Sequence, residues 1–208
     1  MSANLSAYIY AHTSGTVSKA SPVKVRFNSV VSGNDPANVL SLSPAVKGEA
    51  SWEDQYTLLF QPNDHLASGI KYIGKVNLKK LFTGLPADAQ SFEFEFQTKE
   101  QYFDVVIDGL YAPNPRELSK QELSGTVFTA DVAESEAVEK VLSAYQNRNA
   151  LNITWIHAEM EHNFVIQNIN RSQSAQAVQV KWNGNALGLK LDGEEAIEVP
   201  ALGDFKIT

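Results

Sequence analysis

Short runs of alternating apolar and polar side chains dominate the first half of the chain. Residues 23–28 read VKVRFN, residues 56–60 read YTLLF, and residues 91–98 read SFEFEFQT. A period of two places successive side chains on opposite faces of a β-strand, so that one face can be buried and the other solvated. These runs, bounded by Pro and Gly, predict short half-buried strands, with further strands at residues 5–12 and 70–78.

The segment from Ser43 to Tyr72 is expected to organise the first core. It begins at a Ser-Pro pair, carries a lone tryptophan and passes through a glycine turn before its final tyrosine. Large apolar side chains on one face of several strands need a common core to fill. We predict that Trp52, Leu58, Phe60 and Tyr72 pack against Phe27 and against the face formed by Phe92, Phe94 and Phe96.

One helical pattern interrupts the strand-like runs of the second half. Apolar residues recur three and four positions apart between residues 137 and 145, after an Asp131–Glu134 pair spaced like a capping box. This predicts an α-helix at about residues 132–146. The Asn183-Gly184 and Asp192-Gly193 pairs are typical of type I′ turns and predict a three-stranded meander. Strands are expected at residues 102–110, 123–129, 151–156, 164–169, 178–182, 187–191 and 205–208.

Strands separated by turns along the whole length predict an all-β fold. A chain of 208 residues is long enough for two domains, and a short polar segment near residue 100 separates the two series of strands. We therefore predict two tandem β-sandwich domains, residues 1–99 and residues 100–208, the second with one inserted helix. The strand-like end of the sequence suggests that the chain is part of a longer protein.

Composition narrows the classes of function. A net charge of −7 and a pI near 5.1 argue against a nucleic-acid partner, because phosphate binding requires a basic surface. The chain has no cysteine, which excludes disulfides, thiol nucleophiles and Cys-ligated metals. No apolar run approaches the roughly 20 residues that span a bilayer, and no signal-peptide pattern opens the sequence. Membrane attachment is therefore expected only through an anchor outside this sequence.

His157 and His162 are the best candidates for a metal site. A zinc-protease helix needs two histidines four residues apart, whereas these are five apart and their flanks are β-like. At the end of a hairpin they could face one another across the strands, with Glu159 or Glu161 nearby. We expect a solvent-exposed turn here and assign no metal ligand.

The remaining polar residues form no catalytic pattern. Nucleophile-elbow, phosphate-loop and dinucleotide motifs do not occur in the sequence. The adjacent carboxylates at Glu53-Asp54 and Glu194-Glu195 would point to opposite faces of a strand. Tryptophans at positions 52, 155 and 182 are expected to fill the sheets' cores rather than stack on sugars. We assign no catalytic or cofactor-binding residue, expect no cofactor, and do not expect an enzyme.

Several stretches resemble the N-terminal region of bacterial alpha-2-macroglobulin family proteins. In the first half these are VKVRF at 23–27, LSLSPAVKGEASWED at 40–54 and LLFQPNDHLASGIKY at 58–72, a pattern also similar to bacterial Ig-like repeats. More specific are NLKKLF at 77–82, FEFEFQT at 92–98 and LSGTVFTADV at 123–132. VKWNGNALG and EVPALGDFKIT complete the series, so the resemblance covers nearly the whole chain from about residue 14.

The resemblance implies two Ig-like or macroglobulin-like sandwiches in an extracytoplasmic protein that traps peptidases. Such proteins are usually periplasmic, membrane-anchored lipoproteins, in which sandwich domains scaffold a cleavable bait region. Many members also use a Cys–Gln thioester, but this chain has no cysteine, so no functional residue of the family carries over. The implied role is a non-catalytic N-terminal scaffold, with the remaining domains of a longer chain and, through them, peptidases as partners. A carbohydrate- or protein-binding adhesin-type sandwich of a secreted or surface protein is the alternative.

Overall fold

The computed structural model describes residues 5–203, which are built mainly of β-strands, so the all-β fold class is confirmed. The chain divides into two compact units between Glu100 and Gln101. Four residues, 99–102, separate the last strand of the first unit from the first strand of the second. Within the described residues, no helix is both long and apolar enough to cross a membrane.

The first unit is a sandwich of two four-stranded sheets. In the described part its strands are β1 Ile9–His12, β2 Gly15–Val17, β3 Val23–Phe27, β4 Leu40–Ser43, β5 Gly48–Trp52, β6 Thr57–Pro62, β7 Lys71–Asn77 and β8 Ser91–Thr98. One sheet has the order β1-β3-β6-β5 and the other β2-β8-β7-β4. Short 3₁₀ helices occupy Leu5–Ala7 and Leu78–Lys80.

The start of the chain is shared between the two sheets of this unit. Strand β1 pairs antiparallel with β3, whereas β2 pairs parallel with β8, with Gly15 opposite Phe96. Gly15 has a φ of 68°, in the left-handed region that glycine adopts without strain, where the chain passes from one sheet to the other. The resulting strand order is that of an immunoglobulin-like sandwich.

The predicted packing of the first core is confirmed. Leu58, Phe60 and Tyr72 are buried in one cluster with Phe27, and Phe94 and Phe96 belong to the same cluster. Trp52 and Phe92 pack against this cluster but remain partly exposed. The Trp52 ring lies edge-on to the Phe27 ring, with 6.3 Å between their centroids.

Tyr72 also fixes the loop that precedes β7. Its buried hydroxyl accepts a hydrogen bond of 3.1 Å from the backbone N–H of Ala67, and its ring stacks on Phe96 with centroids 5.4 Å apart. A tyrosine at the start of this strand, bonded to the backbone a few residues upstream, is the tyrosine corner of immunoglobulin-like domains.

Tyr72→Phe is expected to lower the free energy of unfolding by about 1 kcal/mol, because the ring stays but the Ala67 N–H loses its partner. Urea unfolding at pH 7.5 measures this difference. Tyr10→Phe is the matched control, since the Tyr10 side chain is exposed on the unit's surface. If both variants change stability equally, the corner hydroxyl does not stabilise the fold.

The second unit has the same core strand order as the first, but among its described strands it has no parallel strand like β2, and a short strand, β12, lies beside β11 instead. Its described elements are β9 Phe103–Tyr111, β10 Lys120–Thr129, α1 Ser135–Glu139, β11 Leu142–Gln146, β12 Asn149–Ala150, β13 Ile153–His157, β14 Glu161–Asn170, β15 Gln176–Asn183, a 3₁₀ helix at Gly184–Leu187 and β16 Asp192–Val199. The sheets have the orders β13-β14-β10-β9 and β12-β11-β15-β16, with all described pairs antiparallel. This is again an immunoglobulin-like sandwich.

The helix predicted at residues 132–146 is wrong in extent. Only Ser135–Glu139 is α-helical, and Leu142–Gln146 form β11, which pairs with β15. The sequence LSAYQ also alternates with a period of two, and pairing in the sheet decides between the two patterns. The helix also starts later than predicted, with Glu134 as its N-cap residue, and the Asp131 carboxylate accepts a hydrogen bond from the N–H of Val132.

The predicted meander is also wrong in detail. Residues 187–191 are not a strand, because Asn183 caps the 3₁₀ helix by accepting a hydrogen bond from the N–H of Asn185, and the last strand starts at Asp192. The type I′ geometry instead occurs at Asn147 and Arg148, which have φ values of 51° and 68° between β11 and β12. The strand predicted at residues 205–208 lies outside the described residues.

Aromatic rings lie across glycines of the neighbouring strand in both units. Gly74 is opposite Phe94, Gly125 opposite Phe164, and Gly193 opposite Trp182. A Cβ atom added at any of these glycines would come within 2.3–2.6 Å of the opposing ring. These glycines therefore leave the space that each ring occupies.

Candidate functional site

His157 and His162 face one another at the end of the β13–β14 hairpin. They are directly opposite in the strand register, and their Nδ1 atoms lie 3.0 Å apart. Both side chains point toward the interior, where His162 is only 1% exposed and His157 is half-buried. The expectation of a solvent-exposed turn is therefore wrong for the histidines. The turn comprises only residues 158–160, and the histidines belong to the strands on either side.

The carboxylate beside the two histidines belongs to Glu139, whereas Glu159 or Glu161 was expected. Oε1 of Glu139, at the end of α1, lies 3.2 Å from Nε2 of His157. Glu161 alternates with His162 along β14 and is exposed on the opposite face of the sheet. On the other side of the pair, Oγ1 of Thr129 lies 3.4 Å from Nε2 of His162. The cluster thus joins the hairpin to α1 and β10.

The geometry of the cluster is that of a hydrogen-bonded chain. The two histidines contact each other through their Nδ1 atoms, whereas Glu139 contacts His157 at Nε2, the other nitrogen of the ring. The three groups therefore do not point at a common centre. No group of three or more His, Cys, Asp or Glu residues that could hold a metal ion occurs among residues 5–203. The Trp155 ring stacks on His157 with its plane tilted by only 7°, which further fixes the imidazole.

Burial lowers the pKa of His162 from its ordinary value of 6.5, and the neighbouring His157 lowers it further. A neutral imidazole pair can form one Nδ1–H···Nδ1 hydrogen bond, in which one ring donates and the other accepts. Protonation of both rings leaves two donors facing each other. The folded state therefore favours neutral His162.

Acidification should destabilise the chain through His162. Below pH 6.5 the unfolded chain binds a proton that folded His162 still excludes, so the free energy of unfolding falls as the pH decreases. The stabilisation that neutral His162 provides is fully present above that pH. One titrating site changes the free energy of unfolding by at most about 1.4 kcal/mol per pH unit. Urea unfolding between pH 8 and pH 5 should show this slope in the native chain and in His65→Asn, an exposed control, and a smaller slope in His162→Gln. An unchanged slope in His162→Gln would contradict the assignment.

The other candidate groups take part in surface or packing contacts. Glu53 and Asp54 lie in a turn after β5 instead of on a strand, and form ion pairs with Lys24 at 2.5 Å and Arg26 at 2.9 Å. The pKa of Asp54 is lowered, chiefly by a hydrogen bond from the N–H of Tyr56. Glu194 pairs with Lys181 across β15 and β16 at 2.9 Å. Each of these carboxylates has a basic partner of its own.

The three tryptophans are half-buried and each has a structural contact. Nε1 of Trp52 donates a hydrogen bond of 2.8 Å to the backbone carbonyl of Asn34. Trp155 lies 5.5 Å from the Phe164 ring and Trp182 covers Gly193. These contacts stabilise the sandwiches.

No protein-family model and no curated protein matches the chain. Among solved structures, L,D-transpeptidase 3 from Mycobacterium tuberculosis aligns at 14% identity over 83% of this chain and 77% of its own, with a TM-score of 0.33. The titin Ig tandem domains A164-A165 align at 11% identity over 93% of this chain and 97% of theirs, with a TM-score of 0.31. Because both TM-scores are below 0.5, neither similarity assigns a fold or an activity to this chain.

Proposed function

We propose that this chain is a non-catalytic scaffold from the N-terminal part of a bacterial alpha-2-macroglobulin-like protein that traps peptidases. The observation that supports a scaffold is the repetition of one sandwich topology in two consecutive units, each with its own apolar core. The macroglobulin assignment rests on the sequence resemblance, above all on the motifs at residues 77–82, 92–98 and 123–132.

The proposal places the protein outside the cytoplasm, in the periplasm, with a membrane anchor elsewhere in the full-length chain. Its partners would be the remaining domains of that chain and, through them, the captured peptidase. The scaffold would need no cofactor and would bind no nucleic acid. Its role would be to hold the neighbouring domains in place while the bait region, elsewhere in the full-length chain, is cleaved.

Peptidase capture by the complete reading frame tests this proposal. The full-length protein is mixed with an active serine peptidase or with the same peptidase inactivated at its active site, and complexes are separated on native gels. We expect the full-length protein to retain only the active peptidase, and the 208-residue chain to retain neither. Failure of the full-length protein to retain peptidase would refute the macroglobulin role, and hydrolysis of a substrate by the purified chain would refute the non-catalytic role.

The alternative of carbohydrate binding has little support from the tryptophans. Trp52 is held by its hydrogen bond to Asn34 and by its contact with Phe27, while Trp155 stacks on His157. A flat, freely exposed indole face is what sugar stacking requires. We therefore retain the scaffold as the proposed function.

A further inference from the structure

The outer face of the sheet β13-β14-β10-β9 exposes large apolar side chains in two adjacent rows. One row runs Val106, Thr126, Asn163 and Ile156 across the four strands, and the next runs Asp104, Phe128 and Glu161. Val106 is 42% exposed, Phe128 40% and Ile156 74%. Neighbouring strands lie about 4.8 Å apart, so Val106 and Ile156 are about 14 Å from each other across the face.

This face carries carboxylates without basic partners. Asp104, Asp108, Glu122 and Glu161 alternate with the inward-facing residues of β9, β10 and β14. None of the four forms an ion pair with a lysine or arginine of the described chain. Lys120 is the one basic residue in these four strands apart from the inward-facing histidines, and it lies at the far end of β10, bonded to Asn170. We call this surface the acidic face.

On the other three sheets, acidic side chains form ion pairs with lysine or arginine. The sheet containing β3 has the Lys24–Glu53 and Arg26–Asp54 pairs, and the sheet of β7 and β8 has Lys71–Glu95 and Lys75–Glu93. The sheet of β15 and β16 has Lys181–Glu194. Opposite charges paired on neighbouring strands stabilise a solvated sheet face. The acidic face lacks such pairs and groups three exposed apolar side chains in two adjacent rows, whereas Tyr10, Ile73 and Tyr145 are single exposed residues, one on each of the other sheets. This grouping marks the acidic face as a surface for contact with another molecule.

We propose that the acidic face is a docking surface for a polypeptide that presents apolar side chains together with lysine or arginine. Apolar partner groups would cover Phe128, Val106 and Ile156, and basic groups would pair with Asp104 and Glu161 at the ends of one row. The Thr126 hydroxyl, which donates to Oδ1 of Asn163 at 2.8 Å, lies between them as a polar centre. This inference does not depend on the macroglobulin assignment.

The negative charge of the acidic face argues against other classes of binding partner. A second copy docked through the same face would bring two sets of carboxylates together, and like charges across an interface cost binding energy. Anionic lipid and nucleic acid would be repelled for the same reason. A basic and apolar polypeptide is therefore the partner that the face fits.

A titration of the full 15N-labelled chain with a synthetic lysine–leucine peptide tests the docking surface. At about 150 mM salt, where distant charges are screened, we expect amide shift changes concentrated on residues 104–106, 126–128, 156 and 161–163. A glutamate–leucine peptide of the same length should leave these amides unchanged. Changes spread evenly over the surface, or equal changes with the glutamate–leucine peptide, would overturn the proposal.

Matched variants separate the face from the overall negative charge. Phe128→Ser with Ile156→Thr should weaken peptide binding about tenfold or more, whereas Ile73→Thr with Tyr145→Ser, which alter exposed apolar residues of other sheets, should not. Asp104→Asn with Glu161→Gln should weaken binding more than Glu93→Gln with Glu194→Gln, which changes the net charge equally. Equal losses in either comparison would overturn the proposal, as would a dimer of the native chain that Phe128→Ser dissociates.

Discussion

Replacing Phe164 with alanine is expected to lower the free energy of unfolding by about 3–5 kcal/mol. The Phe164 side chain is 1% exposed at the centre of the second core, where its ring fills the space above Gly125 and packs on Trp155. Alanine would remove these contacts and leave a cavity that the two sheets cannot close without moving. Urea unfolding followed by circular dichroism measures the loss.

Phe128→Ala is the matched control, because Phe128 lies on the outer face of the same sheet. It removes the same atoms from a side chain that is largely solvated, so a loss below about 1 kcal/mol is expected. Similar losses for the two variants would mean that the inward and outward faces of β10 and β14 are misassigned.

Replacing Gly74 with alanine is expected to cost about 1–3 kcal/mol through overpacking. A Cβ atom at this position would lie 2.3 Å from Cζ of Phe94, whose ring is stacked between Phe92 and Phe96. The ring has aromatic neighbours on both sides and cannot turn away freely. Gly33→Ala is the control, because no atom lies within 4 Å of the added Cβ there.

A double-mutant cycle identifies the Phe94 ring as the cause. In a Phe94→Leu background the methyl of Gly74→Ala meets a smaller and more flexible side chain, so its cost should fall. The coupling is measured from the unfolding free energies of the four proteins. If Gly74→Ala costs the same in both backgrounds, the glycine is required for a reason other than this contact.

The sequence predicted strands best where one face is buried and the other solvated. Residues 23–27 and 91–98 were predicted as strands and are β3 and β8. Their apolar positions repeat every second residue over five or more positions, which a helix cannot match. In contrast, residues 142–146 fit both periods, and the choice depends on pairing with β15, more than 30 residues further along the chain. Local pattern alone could not resolve it.

The histidine cluster, too, could be predicted only in part from the local sequence pattern. A hairpin that brings His157 opposite His162 could be anticipated from their spacing, because both lie in β-like flanks. The Glu139 contact could not, since it depends on how a short helix between β10 and β11 meets another hairpin. The acidic face likewise required the strand order, because Val106, Phe128 and Ile156 come from three separate segments.

The immunoglobulin-like order of the first unit is tested most directly by cross-linking β2 to β8. The chain has no cysteine, so Thr16→Cys with Gln97→Cys introduces a single pair, at positions that are opposite in the parallel register. We predict that this pair forms an intramolecular disulfide under mild oxidation, seen by mass spectrometry. Thr16→Cys with Glu95→Cys should form no disulfide. Glu95 lies on the same face of β8, two residues before Gln97, so its Cα atom is about 8 Å from that of Thr16, and disulfides need Cα atoms within about 7 Å of each other. Equal closure of both pairs, or closure of neither, would contradict the parallel pairing of β2 with β8, and with it the division of the chain's start between the two sheets of the first unit.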